Sequence, residues 1–306
     1  MKIAVIGAGG VGGYFGARLA QGGHEVTFVA RGRHLAAIRE RGLAIESALG
    51  AATVRCAATD DVASLPPVDV AMLCVKLWDV EATAPKLARV VANGGVVIPF
   101  QNGVESADWV AAALGPSHVL GGVAYIAATI REPGVIAHTG TMARLRVGAF
   151  PGGPVGRAAA FAEACRAAGV EVEHAPDIRL ALWEKFVFLA SFSGITAAAR
   201  APIGVVRSDP DLRATLEAAM REAWAVGRAR GVALPDDFVA KQLAFADGLP
   251  AAMRSSMQND LEAGFRLEVP WLSGGVARMA REAGLAAPVH ATLHAVLKPC
   301  AGGRAA

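Results

Sequence analysis

The chain has 306 residues, 54% of them hydrophobic and 19% charged, enough for a well-packed core and for one large domain or two ordinary ones. Its 30 basic and 27 acidic residues leave a formal net charge of +3, scattered along the sequence, which argues against a nucleic-acid partner. Cys56, Cys74, Cys165 and Cys300 lie far apart with no C-x-x-C pair, which argues against zinc, a redox pair or a disulfide framework and for reduced thiols in the cytoplasm.

The chain opens on a strand-like apolar run, Lys2 to Gly7, and not on the charged region, long apolar stretch and cleavage site of a secretion signal. Gly7-Ala8-Gly9-Gly10-Val11-Gly12 follows at once and matches G-x-G-x-x-G between a strand and a predicted helix, the context the motif requires. Gly7 permits the tight turn, Gly9 lets the backbone approach a pyrophosphate, and Gly12 allows close helix packing. The helix start at Gly10 and Val11 offers its N–H groups to the anion.

The next run, Val26 to Ala30, ends at Arg31-Gly32-Arg33, where an NAD enzyme places an acidic residue for the ribose hydroxyl. Arg31 can instead pair with a 2′-phosphate and stack on adenine, so the expected cofactor is NADP(H). Val70 to Val75 leads to Lys76, and Val96 to Phe100 leads to Gln101-Asn102-Gly103. Continuously apolar strands separated by helices predict an α/β, doubly wound parallel sheet of the Rossmann type. Lys76 and Asn102 then fall at the carboxyl edge, where such sheets bind ligands. At this level a snorkelling surface lysine and a plain Asn-Gly turn remain alternatives.

The longest uncharged stretch, Trp109 to Ile130, is broken by Gly115, Pro116, Gly121 and Gly122 and reads poorly as a membrane span. Val119 to Ala128 and Leu145 to Phe150 are expected to extend the sheet. Pro151-Gly152-Gly153-Pro154 leads into a helical pattern, Arg157 to Ala168. Beyond Asp177 the patterns are helical: Ile178–Ala199, Asp211–Arg230, Pro235–Phe245 and Val269–Ala283. The expected organisation is a dinucleotide-binding domain over residues 1–176 and an all-α domain over 177–306.

Three further groups carry no site. His290 and His294 are spaced for one helix face but have no acidic third ligand, so no metal is expected. His138 stands in a turn-like stretch, Ile136 to Gly140, and is read as structural. Ser191 and Ser193 have no strand-turn-helix elbow and no paired histidine, which leaves hydrolase chemistry unsupported.

Taken together, Gly7 to Gly12 with Arg31, Lys76, Gln101-Asn102-Gly103, Lys185 in Leu182-Trp183-Glu184-Lys185, and Ser255-Ser256-Met257 followed by Glu268 resemble the ketopantoate reductase (2-dehydropantoate 2-reductase) family. The resemblance runs from Met1 to about Lys298. It implies a helical second domain of the 6-phosphogluconate dehydrogenase C-terminal type and NADPH-dependent reduction of 2-dehydropantoate to (R)-pantoate. It also implies Lys185 as proton donor, Glu268 and Ser256 beside the substrate, and Asn102 beside both nicotinamide and substrate. The implied partner is a small 2-oxo acid, with neither nucleic acid nor membrane; a homodimer through the helical domain is the assembly considered.

The chain also departs from the family. Asparagines are typical four and eight residues after the lysine, and here those positions are Leu189 and Ser193, so Ser193 is carried as a substrate contact of altered chemistry. Asp79 stands where glutamine is common. These departures leave open a reductase of another 2-oxo acid, and, from a different class, a noncatalytic NADP-binding redox sensor.

Overall fold

Five short strands build the first sheet of this computed structural model, which describes residues 1–304. In chain order the elements are β1 (Lys2–Ile6), α1 (Gly10–Gln21), β2 (Glu25–Val29), α2 (Gly32–Arg41), β3 (Leu43–Glu46), β4 (Ala52–Val54), β5 (Ala57–Thr59), β6 (Val70–Leu73), α3 (Val80–Thr83), β7 (Val96–Pro99), α4 (Ser106–Leu114), β8 (Leu120–Glu132), β9 (Val135–Ala149), α5 (Val155–Ala167), β10 (Glu171–His174) and α6 (Ile178–Ala199). The first sheet is parallel with spatial order β5-β2-β1-β6-β7. Ile3, Val5, Met72 and Ile98 pack one face and Ala4, Ile6, Leu73 and Val97 the other, which is why these strands are apolar throughout their buried length. The order reverses between β1 and β6, and the turns leaving the carboxyl ends there form the ligand-binding edge of such folds.

The runs around Val119–Ala128 and Leu145–Phe150 do not extend that sheet. Only Val119 reaches it, through an isolated parallel bridge to Val97. The rest pairs as the long antiparallel hairpin of β8 and β9, which with β10, β3 and β4 forms a second sheet. Long strands joined by the tight Pro133-Gly134 corner satisfy their backbone against each other first. The turn-like stretch at His138 lies inside β9, where the register breaks between the Ala128–His138 and Ile126–Ala143 pairs, with Gly140 at φ 76°. His138 is held there by the Ser47 hydroxyl at 2.8 Å, the Met142 carbonyl at 3.1 Å and the Tyr14 ring at 4.8 Å.

By contacts the chain divides into two units, Met1–Gln101 with Glu105–Ala181, and Asn102–Val104 with Leu182 onward. Along α6 the division falls between Ala181 and Leu182. The first turn of α6 belongs to the first unit because Ile178 fills the space left by Gly121 and Gly148; a Cβ at those glycines would lie 2.4 and 2.9 Å from its side chain.

The regular structure of the second unit is all helical among the described residues: the rest of α6, then α7 (Ile203–Ser208), α8 (Pro210–Ala229), α9 (Phe238–Gly248), α10 (Ser256–Ala263), α11 (Ser273–Glu282) and α12 (Pro288–Leu297). Asp209 caps α8 by accepting the N–H groups of Asp211 and Leu212, with Pro210 at the first helical position. Glu222 of α8 does the same for α12, accepting from Val289 at 2.8 Å and His290 at 2.9 Å. Gly227 lets α8 approach Trp183 of α6, whose ring would be 2.8 Å from a Cβ there. By length and composition α6 could cross a membrane, but 67% of its most apolar stretch is buried here, as for a core helix.

Candidate active site

The glycine-rich turn in the first unit is built by exclusion. Gly7 adopts φ 101°, and its N–H and that of Ala8 both donate to the Val29 carbonyl at the end of β2. A Cβ at Gly12 would lie 2.2 Å from the Gly7 carbonyl, and one at Gly10 2.0 Å from the Ala128 carbonyl on β8. The sequence reading assigned Gly10 only to the phosphate, whereas packing against β8 alone already demands glycine. At Gly9 a Cβ would meet nothing within 4 Å, so the surface that this turn offers is free for a close-approaching anion. The N–H groups at the start of α1, including that of Val11, have no partners within the helix to satisfy them, which suits a pyrophosphate.

His34, which sequence reasoning missed, fastens this turn. Gly134 N–H donates to its Nδ1 at 3.0 Å, so Nε2 carries the proton and donates to the Ala8 carbonyl at 2.8 Å. Burial lowers its pKa, against the carbonyl's pull, which keeps the ring in this neutral state.

Arg31 precedes α2 at the end of β2, strongly exposed, with its guanidinium 3.9 Å from the Asp79 carboxylate. That loose pair balances Asp79 and leaves Arg31 able to turn toward a phosphate. Lys76 is exposed just beyond β6, with its ammonium 5.7 Å from the centre of the Trp78 ring. Gln101 is buried after β7, and its amide nitrogen donates to the Leu73 and Val75 carbonyls at 2.8 and 3.0 Å, locking the exits of β6 and β7 together.

The second unit gathers three of the expected residues into one chain of hydrogen bonds. Lys185 Nζ donates to Asn102 Oδ1 at 3.0 Å, and Asn102 Nδ2 donates to Glu268 Oε2 at 3.2 Å. Asn102 directly precedes Gly103, whose φ of 116° makes the sharp turn there. Glu268 sits between α10 and α11, nearly buried at 6% exposure, and its carbonyl accepts the N–H groups of Trp271 and Leu272. Lys185 keeps partial solvent access, yet the protein around its ammonium lowers its pKa to about 8, with Glu268 pulling in the opposite direction. A lysine tuned this way can deliver a proton near neutral pH and be recharged from water.

The two serines expected near the substrate behave differently. Ser256 is exposed as the first residue of α10, while the preceding Ser255 is buried and caps that helix, accepting from Gln258 N–H at 3.0 Å. The Ser255-x-x-Gln258 spacing was a legible cap signal. Ser193 is fully buried with a hydroxyl that has no hydrogen-bond partner. His290 is structural: its Nε2 bonds the Ala219 carbonyl at 3.0 Å, and burial pushes its pKa down to about 4. No cluster of three potential metal ligands occurs among the described residues.

Comparison with known proteins covers both units. The family model described as ketopantoate reductase PanE/ApbA matches residues 3–152, and that of the ketopantoate reductase PanE/ApbA C terminal matches residues 177–301. An uncharacterized oxidoreductase, YkpB, of Bacillus subtilis is 30% identical over 97% of this chain and 98% of its own. The 2-dehydropantoate 2-reductase of Archaeoglobus fulgidus is 32% identical over 95% of each. The crystal structure of a PanE/ApbA family ketopantoate reductase from Ralstonia eutropha superposes with a TM-score of 0.89 at 33% identity, covering 98% of each chain.

Proposed function

Because the chain belongs to the ketopantoate reductase family of NAD(P)-dependent oxidoreductases, we propose that it reduces a 2-oxo acid with NADPH, with 2-dehydropantoate to (R)-pantoate, on the route to pantothenate, as the reference reaction. The observation that carries this reading is the Lys185–Asn102–Glu268 chain with its lysine tuned to about pH 8.

When bound, NADPH would supply the hydride for reduction of the substrate carbonyl. The residues of the chain handle the charge that this leaves on oxygen. Lys185 stabilises the developing alkoxide and gives it a proton, and Asn102 holds the ammonium in position from its amide oxygen. Glu268 keeps Lys185 charged by opposing the effect of burial. Ser256, at the start of α10, is assigned to the substrate carboxylate, where helix N–H groups favour an anion. Gly7, Gly9, Gly10, Val11 and Gly12 receive the pyrophosphate. Arg31 takes the 2′-phosphate, with Lys76 and Asn102 completing the cofactor contacts.

The test is steady-state loss of reduced-nicotinamide absorbance with 2-dehydropantoate and a panel of other 2-oxo acids, using NADPH and NADH in parallel. The reading expects turnover of at least one acid, better with NADPH, and its loss in Lys185→Ala. Cofactor binding with no turnover of any acid would favour a noncatalytic sensor.

A further inference from the structure

Lys185 fixes where a substrate carbonyl oxygen must sit, and α6 fixes what the remainder of the substrate meets. At about 100° per residue, Phe188 lies about 60° to one side of Lys185, Leu189 about 40° to the other, and Phe192 within about 20° two turns on. One turn in the opposite direction the neighbours are Ala181 and Leu182. Whichever way a substrate runs along the helix, the side chains flanking the ammonium are carbon.

The aromatic part of this face is built as a unit. Phe188 stacks on Phe192 with ring centres 5.3 Å apart, and Phe245 of α9 meets Phe188 edge-on at 5.2 Å. Phe188 and Leu189 are only half-buried, and Phe245 is 50% exposed, so the surface can receive an apolar group. The polar groups at the tip of Lys185 are engaged with each other through Asn102 and Glu268. Ser193, about 80° round the helix from Lys185, is buried and its hydroxyl has no hydrogen-bond partner.

We infer that the preferred substrate is a 2-oxo acid whose side chain is branched or aromatic and carries no hydroxyl, Leu189 being the residue that selects against one. This rests on the reductase reading above. A hydroxyl placed against Leu189 and Phe188 gives up its water without gaining a protein partner, and an apolar pocket discriminates against that isostere by up to about 100-fold.

The test compares kcat/KM for 3,3-dimethyl-2-oxobutanoate and for 2-dehydropantoate, which differ by a single hydroxyl, in the wild type and in Leu189→Asn, with NADPH saturating. The expected result is a preference of about 10- to 100-fold for the acid without the hydroxyl, narrowed at least fivefold or reversed in Leu189→Asn. The ratio is internal to each preparation, so partial loss of folded variant cancels. Equal or better use of 2-dehydropantoate by the wild type, or a ratio unmoved by the substitution, overturns the inference while leaving the reductase reading intact. Turnover of neither acid nor of any other 2-oxo acid overturns both.

Discussion

The Lys185 ammonium lies 3.0 Å from the Asn102 side-chain oxygen, and the nitrogen of the same amide donates to Glu268 at 3.2 Å. An amide has one accepting and one donating end, so a cation on one side and a carboxylate on the other fix its orientation. The pKa of Lys185 is lowered to about 8 by burial and raised by Glu268. With Lys185 as the proposed proton donor, reduction would consume its proton, so kcat/KM for reduction should be level below about pH 8 and fall about tenfold per unit above it. Removing the carboxylate in Glu268→Gln takes away the raising effect, so the inflection should move to lower pH. A pH–rate profile in which that variant titrates where the wild type does would show that Glu268 does not set the charge of Lys185.

Asn102 holds Lys185 without itself exchanging a proton, which separates its contribution from that of the lysine. In Asn102→Ala the ammonium keeps its charge but loses the acceptor that points it, and misplacement of a catalytic group costs about 100-fold in kcat. Thermal unfolding should move little, because the residue is only part-buried in a turn already shaped by Gly103. A rise in substrate KM with kcat unchanged would mean that Asn102 binds the substrate and does not orient the lysine.

Arg31 and Asp79 make opposite predictions about the cofactor. Arg31→Ala should raise KM for NADPH by about 10- to 100-fold, the worth of one charge-assisted hydrogen bond, and leave KM for NADH nearly unchanged. Asp79→Asn frees Arg31 from its 3.9 Å partner and lowers negative charge nearby, so KM for NADPH should fall by a few-fold. Equal effects of Arg31→Ala on the two cofactors would remove the case for NADP preference.

How legible these features were in the sequence depended on whether local pattern or distant pairing decided them. The strands from Lys2, Val26, Val70 and Val96 were readable because burial on both faces makes nearly every position apolar, Lys2 and Thr27 excepted. Of the helices after Asp177, α6, α8, α9 and α11 were readable from their period, α6 to the residue, whereas the short α7 and α10 were not. The short strands β3, β4, β5 and β10 escaped because three or four half-buried residues carry no period, and the hairpin was misplaced because its partner is itself. In the site, Lys185, Asn102 and Glu268 were legible only through the family motif, since 83 and 166 residues separate Asn102 from its two partners. His34 gave no signal at all, its role being set by the Ala8 carbonyl and the Gly134 N–H, which chain folding alone brings to it.

The glycines of the phosphate turn separate packing from ligand binding. Gly12→Ala would drive a methyl to 2.2 Å from the Gly7 carbonyl and 2.8 Å from Val5, neither of which is a flexible chain end. It should destabilise the protein by about 1–3 kcal/mol, seen as a lower midpoint in urea or heat with or without cofactor. Gly9→Ala puts its methyl where nothing lies within 4 Å, and Gly9 has φ −75°, which alanine adopts freely. Its melting curve without cofactor should match the wild type, while the stabilisation conferred by saturating NADPH should shrink as Kd rises, because the methyl occupies the space through which a pyrophosphate approaches the backbone. Unchanged NADPH affinity in Gly9→Ala, measured by fluorescence titration, would show that the open side of the turn is not where the phosphates bind.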